Sequence, residues 1–223
     1  MSELKLIKSP EGQFNFLKIW ESTQFEGRGD YSFSLMLRFA PNQDLSAFIA
    51  EIEEQKKIAL KNALDAKRLT KEIVASWQMR DILNYGNVLI DNAKTLNKEN
   101  CVYDHFENCY YMSSSTKDET KKTEVELDGR KAFAPPGVFT ITVDQFTGDT
   151  VRSKLVRGNP LDEAQIYSGC KGKISFKIFA WSNKSSKAWG YSAGLQNILK
   201  TADGERLGGG SNSGSEFDDE APF

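Results

Sequence analysis

Gly172-Lys173-Ile174-Ser175-Phe176-Lys177-Ile178-Phe179-Ala180-Trp181 decides the fold, because its apolar residues return with a period of two. Ile174, Phe176, Ile178 and Ala180 share one face of an extended chain, and Lys173, Lys177, Phe179 and Trp181 share the other. A polar turn over residues 183–187 follows. The run Trp189-Gly190-Tyr191-Ser192-Ala193-Gly194-Leu195 is then placed to pair back as the second strand of a hairpin. Residues 31–39 alternate just as cleanly: Tyr31, Phe33, Leu35, Leu37 and Phe39 on one face, Ser32, Ser34, Met36 and Arg38 on the other. Residues 14–20 read as the strand before it, and the connection 24–30, with two glycines around Arg28, reads as a hairpin loop with a basic tip.

From Pro41 the period changes. Leu45, Phe48, Ile49 and Ile52 form a helical stripe with Asn42 or Asp44 as N-cap, and Ile73, Val74 and Trp77 suggest a second helix ending near Arg80. A helical insertion over about 44–80 is therefore expected, packed against a sheet that covers its apolar stripe. Strand character returns at 87–91, 109–112 and 138–143, with a hairpin around Asp128-Gly129 and a polar, mobile stretch over 113–123. Several short strands, one helical insertion and no βαβ alternation predict a mainly β protein, an OB-type barrel first among the candidates.

At 223 residues and 39% hydrophobic content the chain can bury one sizeable core. The expected division is a barrel domain over 1–205, a Gly/Ser linker over 206–215 and an acidic tail over 216–223. No apolar run approaches the roughly 18 residues needed to span a bilayer, and no signal-like segment follows Met1, so a cytoplasmic location is expected. Three cysteines and the single His105 support neither a disulfide framework nor a complete zinc site, and no cofactor is expected. The spacing Cys101-His105-Cys109 is not that of a zinc finger or knuckle.

The net charge of −2 hides a polarity along the chain. Residues 1–149 carry 19 basic and 23 acidic side chains, residues 150–200 carry 9 and 2, and residues 201–223 carry 1 and 6. A cationic block followed by an acidic end suits a protein that binds nucleic-acid phosphates. Binding an unpaired strand without sequence preference requires cations for phosphates and aromatic faces for bases, and the outward face of 173–181 offers Lys173, Lys177, Phe179 and Trp181. Lys18 and Trp20 share a face by the same period, Arg28 and Arg38 extend the charge, and Arg152, Lys154 and Arg157 add three cations with no intervening acid. Core packing is the competing role for each aromatic. Phe14, Phe16, Phe33 and Phe176 are assigned to the core, while Trp20, Phe179 and Trp181 stay open between the two.

The chain ends Glu216-Phe217-Asp218-Asp219-Glu220-Ala221-Pro222-Phe223, beyond a Gly/Ser tether with a reach of about 16 Å. An acidic peptide with an apolar tip has the form of a ligand for a partner with a basic rim and a Phe-sized pocket. This ending is similar to the C-terminal tip of bacterial and phage single-stranded DNA-binding proteins, in which acidic residues close on Pro-Phe. The segment from Tyr167 to Gly210, with Lys187-Ala-Trp-Gly-Tyr-Ser-Ala-Gly-Leu-Gln-Asn at its centre, resembles a family of bacteriophage single-stranded DNA-binding proteins. The glycine loop before Tyr31-Ser32 and the stretch Ala134-Pro135-Pro136-Gly137 extend that resemblance along the chain.

The resemblance implies an OB-fold that binds single-stranded DNA with little sequence preference in phage replication, recombination and repair. It also implies a tail, Glu216, Phe217, Asp218, Asp219, Glu220, Pro222 and Phe223, that recruits partner enzymes; self-association is a further possibility. A strand-annealing or RNA-binding protein would use the same groove. A Mg²⁺-dependent nuclease is the remaining alternative, but Asp81, Asp91, Asp104 and Asp144 are scattered, and no phosphate-cradling GK[ST] loop occurs.

Overall fold

A computed structural model describes residues 2–24, 31–95, 104–121, 134–143 and 147–207 of the chain. In chain order the strands and α-helices are β1 (Ile7–Lys8), β2 (Gly12–Gln24), β3 (Tyr31–Arg38), α1 (Ser46–Asp65), α2 (Lys71–Ser76), β4 (Gln78–Arg80), β5 (Leu83–Tyr85), α3 (Gly86–Thr95), β6 (Tyr110–Lys117), β7 (Gly137–Val143), β8 (Thr150–Lys154), α4 (Pro160–Glu163), β9 (Lys171–Asn183) and β10 (Ala188–Ala202). The protein is mainly β. Strands β2, β3 and β6 pair antiparallel in succession, β6 runs parallel to β10, β10 forms a long antiparallel hairpin with β9, and β9 returns to β2. These five strands close a ring with the connectivity of an OB-type barrel. The hairpin β7–β8 is appended to it through parallel pairing of β7 with β10.

Alternation built the ring's interior. Phe33, Leu35 and Leu37 from β3 and Ile174, Phe176, Ile178 and Ala180 from β9 are all buried, with Ala193 and Leu195 facing them from β10. The ring closes where Gly12 lies opposite Gly172. A Cβ on Gly172 would lie 2.3 Å from the Leu199 carbonyl oxygen and 2.4 Å from the Phe14 ring, and one on Gly12 would lie 2.7 Å from the Arg38 carbonyl oxygen. Only glycine allows backbones to approach that closely.

Helix α1 lays its stripe against this core. Phe48 meets Phe39 edge-on at 5.7 Å and Phe176 at 6.2 Å, and Ile52 and Ala59 are buried beside them. The same face also buries polar groups that reach segments distant in sequence. Gln55 accepts from the Lys5 amide, Asn62 bonds both the amide and the carbonyl of Ser2, and Lys56 reaches Glu53 at 2.7 Å and Asp81 at 2.5 Å.

Several expectations change. The N-cap of α1 is Leu45, which makes no side-chain cap bond; Asp44 sits one residue earlier and accepts from the Ser46 amide. Residues 78–80 are not the end of a helix. Helix α2, capped by Thr70, buries no side chain and stops at Trp77, whose backbone turns extended, so 78–80 continue as β4 beside β10. Residues 87–91 lie in α3 rather than a strand: Ile90 is buried while Val88 is exposed, the helical phase that a short apolar run leaves ambiguous. The insertion between β3 and β6 thus extends well past residue 80.

Residues 113–117 belong to β6, because the barrel supplies partners on both its edges, and Ser114 satisfies its buried hydroxyl by donating to the Ala193 carbonyl at 3.0 Å. Phe16 is not in the core: it stands 39% exposed with φ 48° at an irregularity in β2, stacked at 6.3 Å on Phe106. Tyr31, at the mouth of the barrel, is also exposed. The connection carrying Arg28, the Asp128-Gly129 hairpin, Cys101, the linker from 208 and the tail all lie outside the described residues.

Gly172→Ala should lower the unfolding free energy by about 1–3 kcal/mol through overpacking at the closure point. The urea unfolding midpoint, followed by circular dichroism, measures it.

Candidate nucleic-acid interface

Outward residues of the barrel strands line an open groove, part of a depression of ≈ 1910 Å³ that also reaches Leu4, Asn62 and Asp81 beside α1. Lys177, Phe179 and Trp181 line it from β9, Ser192 and Gly194 from β10, Ser113 and Ser115 from β6, and Ser32 and Met36 from β3. The floor is built of small hydroxyl side chains, each able to donate or accept.

Phe179 stands out. It is 41% exposed, and its ring lies across Gly194 on the neighbouring strand, so that a Cβ there would come within 2.6 Å of the ring. The ring is held by the backbone beneath it and turned to solvent above. Lys177 is opposite Gly194 in register and Trp181 opposite Gly190, which sets a cation and a second aromatic on either side of Phe179 along one strand face. Lys173 is exposed on the same face of β9, and Lys154 and Lys184 complete a positive lining. Aromatic platform, hydroxyl floor and cationic edge together provide surfaces for stacking bases and for phosphates.

The other candidate cations and aromatics stand elsewhere. Arg152 lies 4.0 Å above the Phe139 ring at the groove's β7–β8 side. Arg157 donates to the Ile19 carbonyl at 2.5 Å and lies 4.4 Å over the buried Phe33 ring, and desolvation lowers its pKa. It clamps the segment after β8 to the barrel. Arg38 donates to the His105 carbonyl, and His105 Nε2 meets Asn15 Oδ1 at 2.8 Å. Lys18 is exposed opposite Ser34, whereas Trp20 is half-buried against the core.

Of the cationic block, Lys200 is buried as well, donating to the Gln165 carbonyl at 2.7 Å and to Asp203 at 2.6 Å. Asp203 is held below the usual carboxylate range by hydrogen bonds from Lys200 and Tyr167. Arg206 stacks 4.0 Å over Tyr167, and the Leu207 amide donates to the Ser168 carbonyl at 2.8 Å, tying down the last described residues.

Sequence reasoning missed Gly194, Phe139 and the serines of β6. The polar run at 113–115 was the only signal for the serines, and it resembled a loop. Among the described residues no three His, Cys, Asp or Glu side chains gather as a metal site. Cys109 and Cys170 are buried free thiols, their pKa values raised by desolvation.

The fold has relatives among solved structures. A single-stranded DNA-binding protein from bacteriophage Enc34 in complex with ssDNA matches with a TM-score of 0.59 at 18% identity, over 91% of this chain and 89% of that one. A C-terminal truncation of the Enc34 protein matches with a TM-score of 0.57 at 17% identity, over 90% and 87%. The single-stranded DNA-binding protein gp2.5 encoded by bacteriophage T7 matches with a TM-score of 0.55 at 12% identity, over 99% and 98%. No curated protein sequence matches the chain. A family profile described as Enterobacter phage Enc34, ssDNA-binding protein, matches residues 6–222. With nearly its whole length so matched, the chain belongs to this family of phage single-stranded DNA-binding proteins, which is not a family of enzymes.

Proposed function

We propose that the chain binds single-stranded DNA in the groove between β3, β6, β10 and β9, without strong sequence preference, during phage DNA replication, recombination and repair in the host cytoplasm. The observation that carries the reading is Phe179, laid over Gly194 with its outer face open and with Lys177 and Trp181 on the same strand face. Unpaired bases stack on the aromatics, phosphates meet Lys177 and Lys173, and Lys18 extends the path at the β2 side. The family supports the polymer bound. Among the described residues no helix is long and apolar enough to cross a membrane. The acidic tail, residues 216–223, acts as a tethered ligand for replication or recombination enzymes.

A labelled oligo-dT should raise its anisotropy with micromolar protein at low salt, more than duplex DNA or RNA of equal length, and affinity should fall as salt rises. No anisotropy change would refute the reading; cleavage of the oligonucleotide in Mg²⁺ would replace it with a nuclease, and equal affinity for RNA with a general strand binder.

Phe179→Ala should weaken binding by about 1–3 kcal/mol with an unchanged thermal melt. Gly194→Val, which lifts the ring, should weaken it in the same direction. Lys177→Ala should shallow the dependence of log K on log salt by about 0.7, as for one lost phosphate contact on a single strand.

Deleting residues 216–223 removes four acidic side chains, leaving 27 against 29 basic ones, and should leave oligo-dT affinity intact or tighter. Phe223→Ala keeps those charges yet should lose partner capture in pull-downs from infected-cell lysate. Identical captures by full-length, truncated and Phe223→Ala proteins would refute recruitment through the tail.

A further inference from the structure

The hairpin β7–β8 stands outside the five-strand ring, and its outward face is neither a core face nor an ordinary polar surface. Cross-strand partners set Phe139 beside Lys154, Ile141 beside Arg152 and Val143 beside Thr150, an apolar row flanked by a row with two cations. Val143 is 63% exposed, and β8 is exposed along its whole length. The opposite face is the one that packs, with Val138, Thr140 and Leu155 buried.

This face continues the groove. Register carries one outward row across four strands, Lys173 on β9 opposite Leu199 on β10, Leu199 beside Phe139 on β7, and Phe139 opposite Lys154 on β8. Phe139 and Lys154 line the same groove as Phe179. Arg152 already sits over the Phe139 ring, 4.0 Å from its centroid, so the exposed cation is in place before any ligand arrives.

We propose that the β7–β8 hairpin is a second leg of the single-strand path, in which a base stacks on Arg152 over Phe139 while Lys154 and Lys173 take the adjoining phosphates. The inference rests on the single-strand-binding reading and adds to it a length and a location. Three strand spacings from β9 to β8 give about 14 Å, room for roughly four nucleotides at the 3.4 Å spacing of stacked bases. The barrel face and the hairpin face would then be filled in order as the oligonucleotide grows.

The test is a titration of the full chain with oligo-dT of stepped lengths, from about 4 to about 16 nucleotides, the range that single OB-folds occupy. It compares wild type, Phe179→Ala, Arg152→Gln and Phe139→Leu. Phe179→Ala should weaken every length. Arg152→Gln and Phe139→Leu should leave the shortest bound oligonucleotides unaffected and weaken the longest by roughly 5- to 150-fold, the range for one stacked base. The length at which affinity levels off should shorten in both. Arg152→Gln replaces an exposed side chain on an edge strand, so it decides the matter if Phe139→Leu fails to fold. Wild-type affinity and plateau length in Arg152→Gln would place the hairpin outside the path while leaving the barrel reading standing. Wild type that binds no length would overturn both.

Discussion

Closing five strands into a ring depends on the short pairing of β2 with β9, where Gly12 lies opposite Gly172 and neither has room for a side chain: a Cβ on Gly172 would meet the Leu199 carbonyl and the Phe14 ring, and one on Gly12 the Arg38 carbonyl. With β9 locked to β2 at one edge and to β10 at the other, the inward set Ile174, Phe176, Ile178 and Ala180 is committed to the core. A slip of one residue would turn Lys173, Lys177 and Phe179 inward and expose the core. Closure therefore fixes, in the same step, what is buried and what faces the groove. Helix α1 then covers the core through Phe48, which packs on Phe39 and on Phe176.

The parts of this arrangement that were legible in the sequence are those set by local period. Strands β2, β3, β9 and β10 and the α1 stripe follow from spacing alone, as does the sharing of one face by Lys177, Phe179 and Trp181. What failed was decided by distant partners. Residues 113–117 look like a loop until β3 and β10 flank them, and Phe16 looks like core until the irregularity in β2 turns it outward. Arg157 and Lys200 count as free cations in any charge tally, yet the Ile19 carbonyl and the Gln165 carbonyl hold them. Gly194 carries no signal of its own; its meaning lies in the ring of Phe179 on the next strand.

These placements also resolve how a chain of net charge −2 offers a surface for a polyanion. Cations line the groove from β8, β9 and the turn after β9, with Lys117 at the end of β6, while hydroxyl side chains of β3, β6 and β10 lie between them. Cations interleaved with hydroxyl and aromatic side chains suit a single strand, which has both phosphates and unpaired bases to offer. A uniformly basic surface would favour duplex as readily. The interleaving is a product of β pleating: the same alternation that buries Ile178 brings Lys177 and Phe179 to the surface one residue either side.

The pairing of Gly12 with Gly172 has a temporal side as well. The two residues are separated by most of the chain, and at a synthesis rate of about 5–20 residues per second the second emerges roughly 8–32 s after the first. Until then the β2–β3 hairpin has an unpaired edge and an uncovered face of Phe33, Leu35 and Leu37. The N-terminal third is thus the part of the nascent chain most exposed to association with other chains. Helix α1, formed from local contacts and available early, reaches only the end of that strand through Phe48 on Phe39, and its other aromatic partner, Phe176, belongs to β9. The long insertion between β3 and β6 thus lengthens the interval for which the N-terminal strands wait for their C-terminal partners.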